Sequence, residues 1–285
     1  DKENYNNKFG LFLSGGMDTR TILAGFTDIK PISFTLGFTE FAEYKIARLL
    51  TQKNNYEHHF IKLYEDHYEK QFDEIIRISS GMYTFDHALF HGIRKEISKH
   101  VEITLNGHGL DYMFQGMYIP KNNYKIFGKP TYFNKLRIPK DNFINEYFEN
   151  IAYKNKHVNP LKYIKDQYKT DIIDSLAKEL KNVLDEGKNY GCKTFYDSWD
   201  YMISHNISSH YPYTNVLSMY NSSNPRTVSF DNDIFDIFLK IPIELRLNGK
   251  ILKETLKYLN SDFANIISAN NGFKITSSPL SMTLK

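Results

Sequence analysis

A serine, two glycines and an aspartate follow an apolar run near the start of the chain. The run Phe9 to Leu13 reads FGLFL, and Ser14-Gly15-Gly16 and Asp18 precede a helical pattern. Glycine lets the backbone approach an anion closely, and the N–H groups at a helix start attract phosphate. Ser14 and Thr19 add hydroxyl donors, and Asp18 offers a carboxylate to Mg²⁺. The pattern predicts a phosphate-binding loop, although a plain strand-to-helix turn with Asp18 as its cap is also compatible with it.

A second element of the same kind lies about ninety residues further along the chain. It reads NGHGLDYMFQGMY, so a strand again leads into a glycine turn (Gly107 and Gly109), followed by Asp111. In open α/β sheets, ligands bind at the carboxyl ends of strands where the winding direction reverses. If the first and fourth strands are neighbours, Asp18 and Asp111 face one crevice and chelate Mg²⁺ against pyrophosphate. A helix cap remains the alternative interpretation of Asp111.

Two common nucleotide-binding motifs are missing. The chain has no GxxxxGK[ST] loop, because Gly249-Lys250 is followed by Ile251 and lacks the upstream glycine. It has no GxGxxG motif either. The predicted phosphate site is therefore of neither the P-loop nor the dinucleotide-binding kind.

Alternating strands and helices must position these loops. The sequence predicts four buried strands, at Phe9–Leu13, Pro31–Leu36, Tyr56–Leu63 and Val101–Leu105, and helices at about 41–53, 65–78 and 85–99. This alternation predicts an α/β fold with a parallel sheet and helices on both faces.

The second half of the chain has a different pattern. We predict a nucleotide-binding α/β core at 1–121 and a mostly helical part at 122–285 packed on it. Segment 122–160 is rich in Asn, Lys, Tyr and Pro, which favours connecting structure, and SSPLSMTLK at the end resembles a tail. Helices are predicted at 171–186, 195–208, 233–239 and 251–259 from their amphipathic patterns.

Composition narrows the function classes. The 285 residues are 41% hydrophobic and 24% charged with a net charge of +3, and no basic block marks a nucleic-acid or membrane surface. Cys192 is the only cysteine, which excludes an internal disulfide and is consistent with a cytoplasmic protein. No apolar run is long enough for a membrane span. We therefore expect neither nucleic acid nor membrane as a partner.

Two adjacent histidines lie in the third predicted strand. His58 and His59 have no further ligand-type residues at a spacing typical of zinc sites. We interpret them as a packing feature of the sheet end.

These motifs resemble the asparagine synthetase family of PP-loop ATP-pyrophosphatases. Ser14 to Thr19 (SGGMDT) is similar to the family's SGGxDS, and Asn106 to Tyr112 (NGHGLDY) is similar to its SGEGSDE. The segment from Phe34 to Leu63 resembles the family's second strand, helix and HH-containing third strand. Arg226 to Leu245 resembles its R-x-PFLD…P-x-x-L segment. The resemblance runs from about residue 8 to residue 260.

The resemblance implies a fold, a ligand and a role for each matched residue. The fold is an adenine-nucleotide α-hydrolase-like (HUP-type) sheet with helical additions, and the ligands are ATP and Mg²⁺. Adenosine contacts come from Leu13, Leu36 and Gly107; pyrophosphate contacts from Ser14, Gly15, Gly16, Asp18 and Thr19; Mg²⁺ contacts from Asp18 and Asp111. The implied reaction is adenylation of a small-molecule carboxylate, giving AMP and pyrophosphate, followed by attack of ammonia or an amine.

The chain departs from the family pattern at several positions. His108 replaces the family's catalytic Glu, while Leu110 and Tyr112 replace Ser and Glu. A neutral His can serve as a base near pH 7, so we expect His108 to be catalytic, with Lys274 as the nearest match to the family's late lysine. We expect no N-terminal glutaminase domain, because only about nine residues precede the first strand, so nitrogen comes as free ammonia or from a separate glutaminase.

Two alternatives stay open at this point. The departures at His108, Leu110 and Tyr112 also fit a catalytically degenerate nucleotide-binding or structural module of the same fold. A different PP-loop enzyme, such as a tRNA-thiolating or NAD-synthetase-like protein, is the third interpretation. The single cysteine and the absence of a basic stripe argue against tRNA thiolation.

Overall fold

The computed structural model describes residues 8–81, 89–126, 128–148 and 160–283, and within these ranges the side chains of 160–161, 206–215 and 279–280 are excepted. The predicted helix at 85–99 therefore lies partly outside the described residues.

A five-stranded parallel sheet forms the centre of the fold, in the order β3-β2-β1-β4-β7. Its strands are β1 (Phe9–Phe12), β2 (Ile32–Gly37), β3 (His58–Lys62), β4 (Ile103–Asn106) and β7 (Asn224–Thr227). β1 pairs with β4 in the register Gly10↔Thr104, and with β2 in the register Gly10↔Ile32. The predicted parallel α/β sheet and its first four strands are confirmed.

Two apolar clusters cover the two faces of this sheet. All six residues of β2 are buried, as expected for a strand covered on both faces. Leu11 and Leu13 belong to one cluster, whereas Phe12, between them, belongs to the other. The alternation follows from the two-residue period of a strand.

Helices contribute to both clusters. The first face is covered by α1 (Met17–Ala24), α2 (Ala42–Gln52), α5 (Leu110–Phe114), α9 (Asn232–Lys240), α11 (Lys250–Leu259) and α12 (Ser261–Asn265). The second face receives Ile97 from α4 (Arg94–Ile97) and Met219 from α8 (Phe195–Tyr220). Helix α3 (His67–Ser79) contacts α8. The predicted placement of helices on both faces is confirmed.

The predicted mostly helical C-terminal part is confirmed as well. It includes α6 (Phe143–Tyr147), α7 (Asp166–Asn189), α10 (Ile243–Arg246) and α13 (Pro279–Thr283), besides the helices already named. Helices α7 and α8 pack together around Trp199, whose indole N–H donates to the Tyr118 carbonyl at 2.8 Å. A capping box of Thr194 and Asp197 fixes the start of α8.

Three details of the prediction were wrong. Segment 122–160 is not only connecting structure, because it holds the antiparallel hairpin of β5 (Lys121–Ile126) and β6 (Lys129–Leu136). Five of the six β5 residues are exposed, so the strand lacks the apolar alternation that would reveal it. The described part of 85–99 forms turns and the short α4 instead of one helix. The presumed tail contains α13, which packs on β6.

Strand β7, the fifth strand of the parallel sheet, was not predicted from the sequence either. β7 reads NPRT, which has no apolar alternation and contains a proline. It lies at the sheet edge, where proline is tolerated in a strand. The sheet therefore draws one strand from the C-terminal half of the chain. Among the described residues, no helix is both long and apolar enough to cross a lipid bilayer.

Candidate functional site

The winding direction of the sheet reverses between β1 and β4. Strands β2 and β3 follow on one side of β1, whereas β4 and β7 lie on the other side. The turns after β1 and β4 leave the same edge side by side. A Cβ atom placed on Gly107 would lie only 3.0 Å from Asp18 Cβ and 3.1 Å from Thr19 Cγ2. The two glycine turns therefore meet at the reversal point, as predicted from the sequence.

The first turn is held together by its own hydroxyl groups. The Ser14 N–H donates to Thr19 Oγ1 at 3.2 Å, and the Gly16 N–H donates to Ser14 Oγ at 3.3 Å. Gly15 has φ +71°, and a Cβ there would lie 2.9 Å from Ile46 of α2. Glycine is thus required at Gly15 both by backbone conformation and by the close approach of α2.

The start of α1 provides the electrostatic setting for a phosphate group. Its N-cap is Gly16, which contributes no side-chain acceptor to the helix. A Cβ on Gly16 would meet only the Ser14 hydroxyl within 4 Å, so the backbone is open on this side. Free N–H groups at a helix start and the helix dipole both favour an anion. The turn can accept a phosphate that a larger residue at Gly16 would obstruct.

Asp18 and Asp111 bring two carboxylates to this edge. The pKa of Asp18 is raised to about 7, chiefly by burial and also by the negative charge of Asp111, while a hydrogen bond from Gln115 opposes the rise. Burial also raises the pKa of Asp111, opposed by the Tyr112 backbone N–H. Each buried carboxylate disfavours ionisation of the other. A divalent cation bound to both would offset this repulsion between their negative charges. The pair therefore fits Mg²⁺, which prefers oxygen ligands.

The second turn is fixed from β7 and from the residues that follow it. The Asn106 amide donates to Thr227 Oγ1 at 3.1 Å, and Asn106 Oδ1 accepts from the His108 N–H at 3.1 Å. The Ser229 hydroxyl donates to the His108 carbonyl. Gly109 has φ +86°, and a Cβ there would lie 2.3 Å from Ser229 Oγ. The backbone of His108 is thus anchored on both sides while its side chain borders a cavity.

That cavity has a volume of about 260 Å³ and is bordered by both turns. Its lining combines polar residues of the two turns, Ser14, Asp18, Thr19, His108 and Asp111, with the following apolar residues: Phe12, Leu13, Phe34, Leu36, Leu89, Phe90 and Met219. The rings of Phe12 and Phe90 pack edge to face, with centroids 4.7 Å apart. An apolar chamber that ends in an anion-binding turn suits a flat heteroaromatic group attached to phosphates.

The backbone of Leu13 is already partly engaged. Its N–H donates to the Phe34 carbonyl at 2.8 Å, and its carbonyl accepts from the Thr35 hydroxyl at 2.6 Å. A carbonyl oxygen has two acceptor lone pairs, so Leu13 can offer a ligand an acceptor. Any contact from Leu13 to adenosine therefore uses its carbonyl or its side chain.

Most predicted site residues meet at this cavity. Its lining includes Leu13, Ser14, Asp18, Thr19, Leu36, Gly107, His108 and Asp111. Gly15 and Gly16 belong to the adjoining turn. Lys274 is not brought there: it is exposed and forms an antiparallel bridge with Ile267 instead.

Two polar residues of the site were missed by the sequence analysis. Glu43 borders the cavity from the first turn of α2, and burial raises the pKa of its carboxyl. It lies in the first turn of the helix that follows β2, near the carboxyl edge of the sheet, so this signal was present in the sequence. Gln115 donates to Asp18 Oδ1 at 2.7 Å, across 97 residues. No local sequence pattern predicts a hydrogen bond between residues so far apart in the chain.

Comparison with known proteins agrees with these motifs. The family model described as asparagine synthase matches residues 5–264. Among solved structures, the NMN synthetase from Francisella tularensis is similar at 13% identity and a TM-score of 0.31, covering 73% of this chain and 86% of that chain. A search of curated proteins found no match. The family match spans both glycine turns and all five strands of the sheet, so this chain belongs to the asparagine synthase family.

Proposed function

We propose that this protein is an AMP-forming ligase, which adenylates a carboxylate with Mg-ATP and passes the acyl group to ammonia or an amine. Membership of the asparagine synthase family supports an ATP-dependent, amide-forming class of ligase. The observation that carries the proposal is the convergence of Asp18 and Asp111, from two neighbouring strand ends, on one cavity beside the Ser14-Gly15-Gly16 turn.

The shape of the cavity supports an assignment for each part of ATP. The apolar walls around Phe12 and Phe90 suit the adenine ring, and the start of α1 suits the phosphates. Asp18 and Asp111 lie on the phosphate side, where they would hold Mg²⁺. When bound, the cation would neutralise charge that develops on the departing pyrophosphate.

The reaction has two balanced steps. In the first, a carboxylate oxygen of the substrate attacks the α-phosphorus of ATP, and the bond to pyrophosphate breaks. In the second, the nitrogen of ammonia or an amine attacks the acyl carbon, AMP leaves, and one proton is lost from nitrogen. The donors of the Ser14-Gly15-Gly16 turn would stabilise the charge on the leaving group.

We infer that His108 takes the proton. Its side chain borders the cavity, and Asn106 and Ser229 hold its backbone. A neutral imidazole is a suitable base near pH 7. His108 can therefore carry out the proton transfer for which the family uses a glutamate. Glu43 adds an acceptor on the α2 side, which suits a hydroxyl or ammonium group. The nitrogen donor is free ammonia or the product of a separate glutaminase.

The identity of the nucleotide product tests this function. The protein is incubated with Mg-ATP, ammonium and a panel of small carboxylates, and nucleotides are separated by chromatography. We expect AMP and pyrophosphate in equal amounts, dependent on one class of carboxylate and lost in Asp111→Asn. Release of ADP and phosphate would refute the proposal. Tight Mg-ATP binding without AMP formation from any carboxylate would favour the degenerate nucleotide-binding module instead.

A further inference from the structure

Three metal-ligating side chains converge at the opposite end of the sheet. Glu57 directly precedes β3, His59 is the second residue of β3, and His100 lies between α4 and β4. One ligand atom from each lies within 4.8 Å of the others. This end carries the amino termini of the strands, whereas the candidate nucleotide site occupies their carboxyl ends. None of the three residues borders the cavity described above, although Phe34 borders both that cavity and the one beside His59 and His100.

The distances within the cluster are short. His59 Nε2 lies 2.6 Å from Glu57 Oε1, and His100 Nδ1 lies 3.8 Å from the same oxygen. The two imidazole rings have centroids 4.0 Å apart. Ligand atoms around a tetrahedral Zn²⁺ ion, at bonds of about 2.0–2.2 Å, are separated by roughly 3.4 Å. The separations of 2.6 Å and 3.8 Å lie on either side of that spacing.

The surroundings hold both imidazoles in place. Phe34 stacks on His59 with centroids 5.7 Å apart, and its ring lies 5.9 Å from that of His100. The sheet register sets Phe34 opposite His59. An apolar floor beneath ligands lowers the local dielectric and limits rotamer freedom, both of which favour metal binding. Glu57, with 55% of its side chain exposed, completes the cluster on the solvent side.

We propose that Glu57, His59 and His100 bind one transition-metal ion, with Zn²⁺ as the best match to two imidazoles and one carboxylate. Imidazole nitrogen suits Zn²⁺ and its first-row neighbours, whereas Mg²⁺ prefers oxygen ligands alone. Three protein ligands leave a coordination position open. His59 and His100 border a cavity of about 520 Å³, which gives that position access to water or a small ligand.

Sequence spacing does not reveal ligand partners for the His58-His59 pair, because those partners are distant in the chain or of another residue type. His100 follows His59 by 41 residues, and Glu57 is one of many surface carboxylates. Glu57, His59 and His100 come together only because β3 pairs with β2 and β1 pairs with both β2 and β4. His58 points away from the cluster, toward Thr35 and Tyr44.

Zinc titration calorimetry tests the proposal on the full chain, freed of any polyhistidine tag and treated with a chelator. We expect one bound Zn²⁺ per chain, and Co²⁺ should give visible absorption bands of a nitrogen- and oxygen-ligated ion. His59→Asn, His100→Asn and Glu57→Gln should each weaken binding by at least roughly 100-fold, more than the loss of a second-shell partner. His58→Asn is the matched control and should bind Zn²⁺ like the wild type.

Three results would overturn the proposal. The first is the absence of stoichiometric Zn²⁺ binding by the folded wild type. The second is unchanged binding in Glu57→Gln, whose exposed side chain can be altered without loss of folding. The third is an equal loss in His58→Asn, which would show that damage to β3, rather than removal of a ligand, explains the effect. Circular dichroism melts confirm that each variant is folded.

Discussion

The Gln115 side-chain amide donates a 2.7 Å hydrogen bond to Asp18 Oδ1 and so joins the end of α5 to the start of α1. This bond favours the ionised form of Asp18, whereas burial and the charge of Asp111 disfavour it. Gln115 therefore orients the carboxylate and lowers its pKa in the absence of a cation. The relationship gives the first prediction.

Gln115→Met should weaken Mg-ATP binding, and more strongly at pH 7 than at pH 8.5. Without the donor, the pKa of Asp18 rises further, so fewer molecules carry the ionised carboxylate at pH 7. Hydrogen bonds to charged groups contribute about 1.5–3 kcal/mol, which corresponds to a loss of roughly tenfold or more at pH 7. Calorimetry at both pH values measures the affinity for Mg-ATP, with Gln52→Met, at an exposed position, as the matched control. Equal losses at the two pH values would contradict the role given to Gln115.

Asp18→Asn should stabilise the metal-free protein at pH 8. The folded-state pKa of about 7 lies above the unfolded value of 3.8, so Asp18 favours folding below pH 4 and this contribution disappears as pH rises through 7. The asparagine side chain cannot ionise, so the stability of the variant does not fall in this way as pH rises. We expect its free energy of unfolding to exceed that of the wild type by on the order of 2 kcal/mol at pH 8.

Urea unfolding with chelator present, at pH 4 and pH 8, gives the comparison for Asp18. The advantage of the variant should appear at pH 8 and be absent at pH 4. A variant less stable than the wild type at pH 8 would show that the ionised Asp18 carboxylate does not destabilise the metal-free protein.

Arg20→Met should destabilise the protein strongly. The buried guanidinium donates to four backbone carbonyls, of Gly15, Phe263, Ile266 and Ile267, at 2.7–3.0 Å. It thereby ties the Ser14-Gly15-Gly16 turn to α12 and the residues that follow it. Loss of these donors leaves buried carbonyls unpaired, so we expect a cost of at least about 3 kcal/mol.

Arg20→Lys should recover little of that loss, because an ammonium group cannot span four carbonyls as the planar guanidinium does. The exposed Arg48→Met, on α2, is the control and should change stability by no more than about 0.5 kcal/mol. Urea unfolding measures all three. An Arg20→Met protein as stable as the control would disprove the structural role of Arg20.

His108→Gln should slow AMP formation without weakening Mg-ATP binding. The amide retains polarity but cannot accept a proton, and loss of a general base costs about 10²–10⁴ in rate. Calorimetry should give an affinity within about twofold of the wild type, because the Mg²⁺ and phosphate groups of the site are untouched. Wild-type turnover by His108→Gln would remove His108 from the mechanism, and His108→Glu tests whether the family's residue restores the rate.

Local patterns were sufficient to predict the parts of the fold that carry the nucleotide site. FGLFL followed by Ser14-Gly15-Gly16 predicted β1 and its turn, and the repeated pattern around Gly107 predicted the neighbouring element. Both rest on apolar runs followed by glycine, which the sequence displays directly. The pairing of β1 with β4 was the condition on which a shared crevice for both aspartates depended, and the sheet register meets it.

Contacts between distant residues could not be predicted in the same way. The edge strand β7 lacks an apolar pattern because only one of its four residues is buried, and the hairpin β5–β6 is polar because β5 is mostly exposed. Gln115 on Asp18 and His100 beside His59 depend on strand order and not on spacing. Lys274 was chosen for its place late in the chain, and the fold sets it away from the cavity.

Titration of the protein with Mg-ATP, followed by calorimetry, tests the central claim most directly. The wild type is compared with Asp18→Ala and Asp111→Asn, and with Asp174→Asn, which removes an exposed carboxylate of α7. We predict one Mg²⁺-dependent ATP site in the wild type and in Asp174→Asn, and a loss of at least about 100-fold in the two site variants, because each lacks a metal ligand. Binding that persists without Mg²⁺, or that survives both site substitutions, would contradict the placement of the nucleotide at the paired glycine turns.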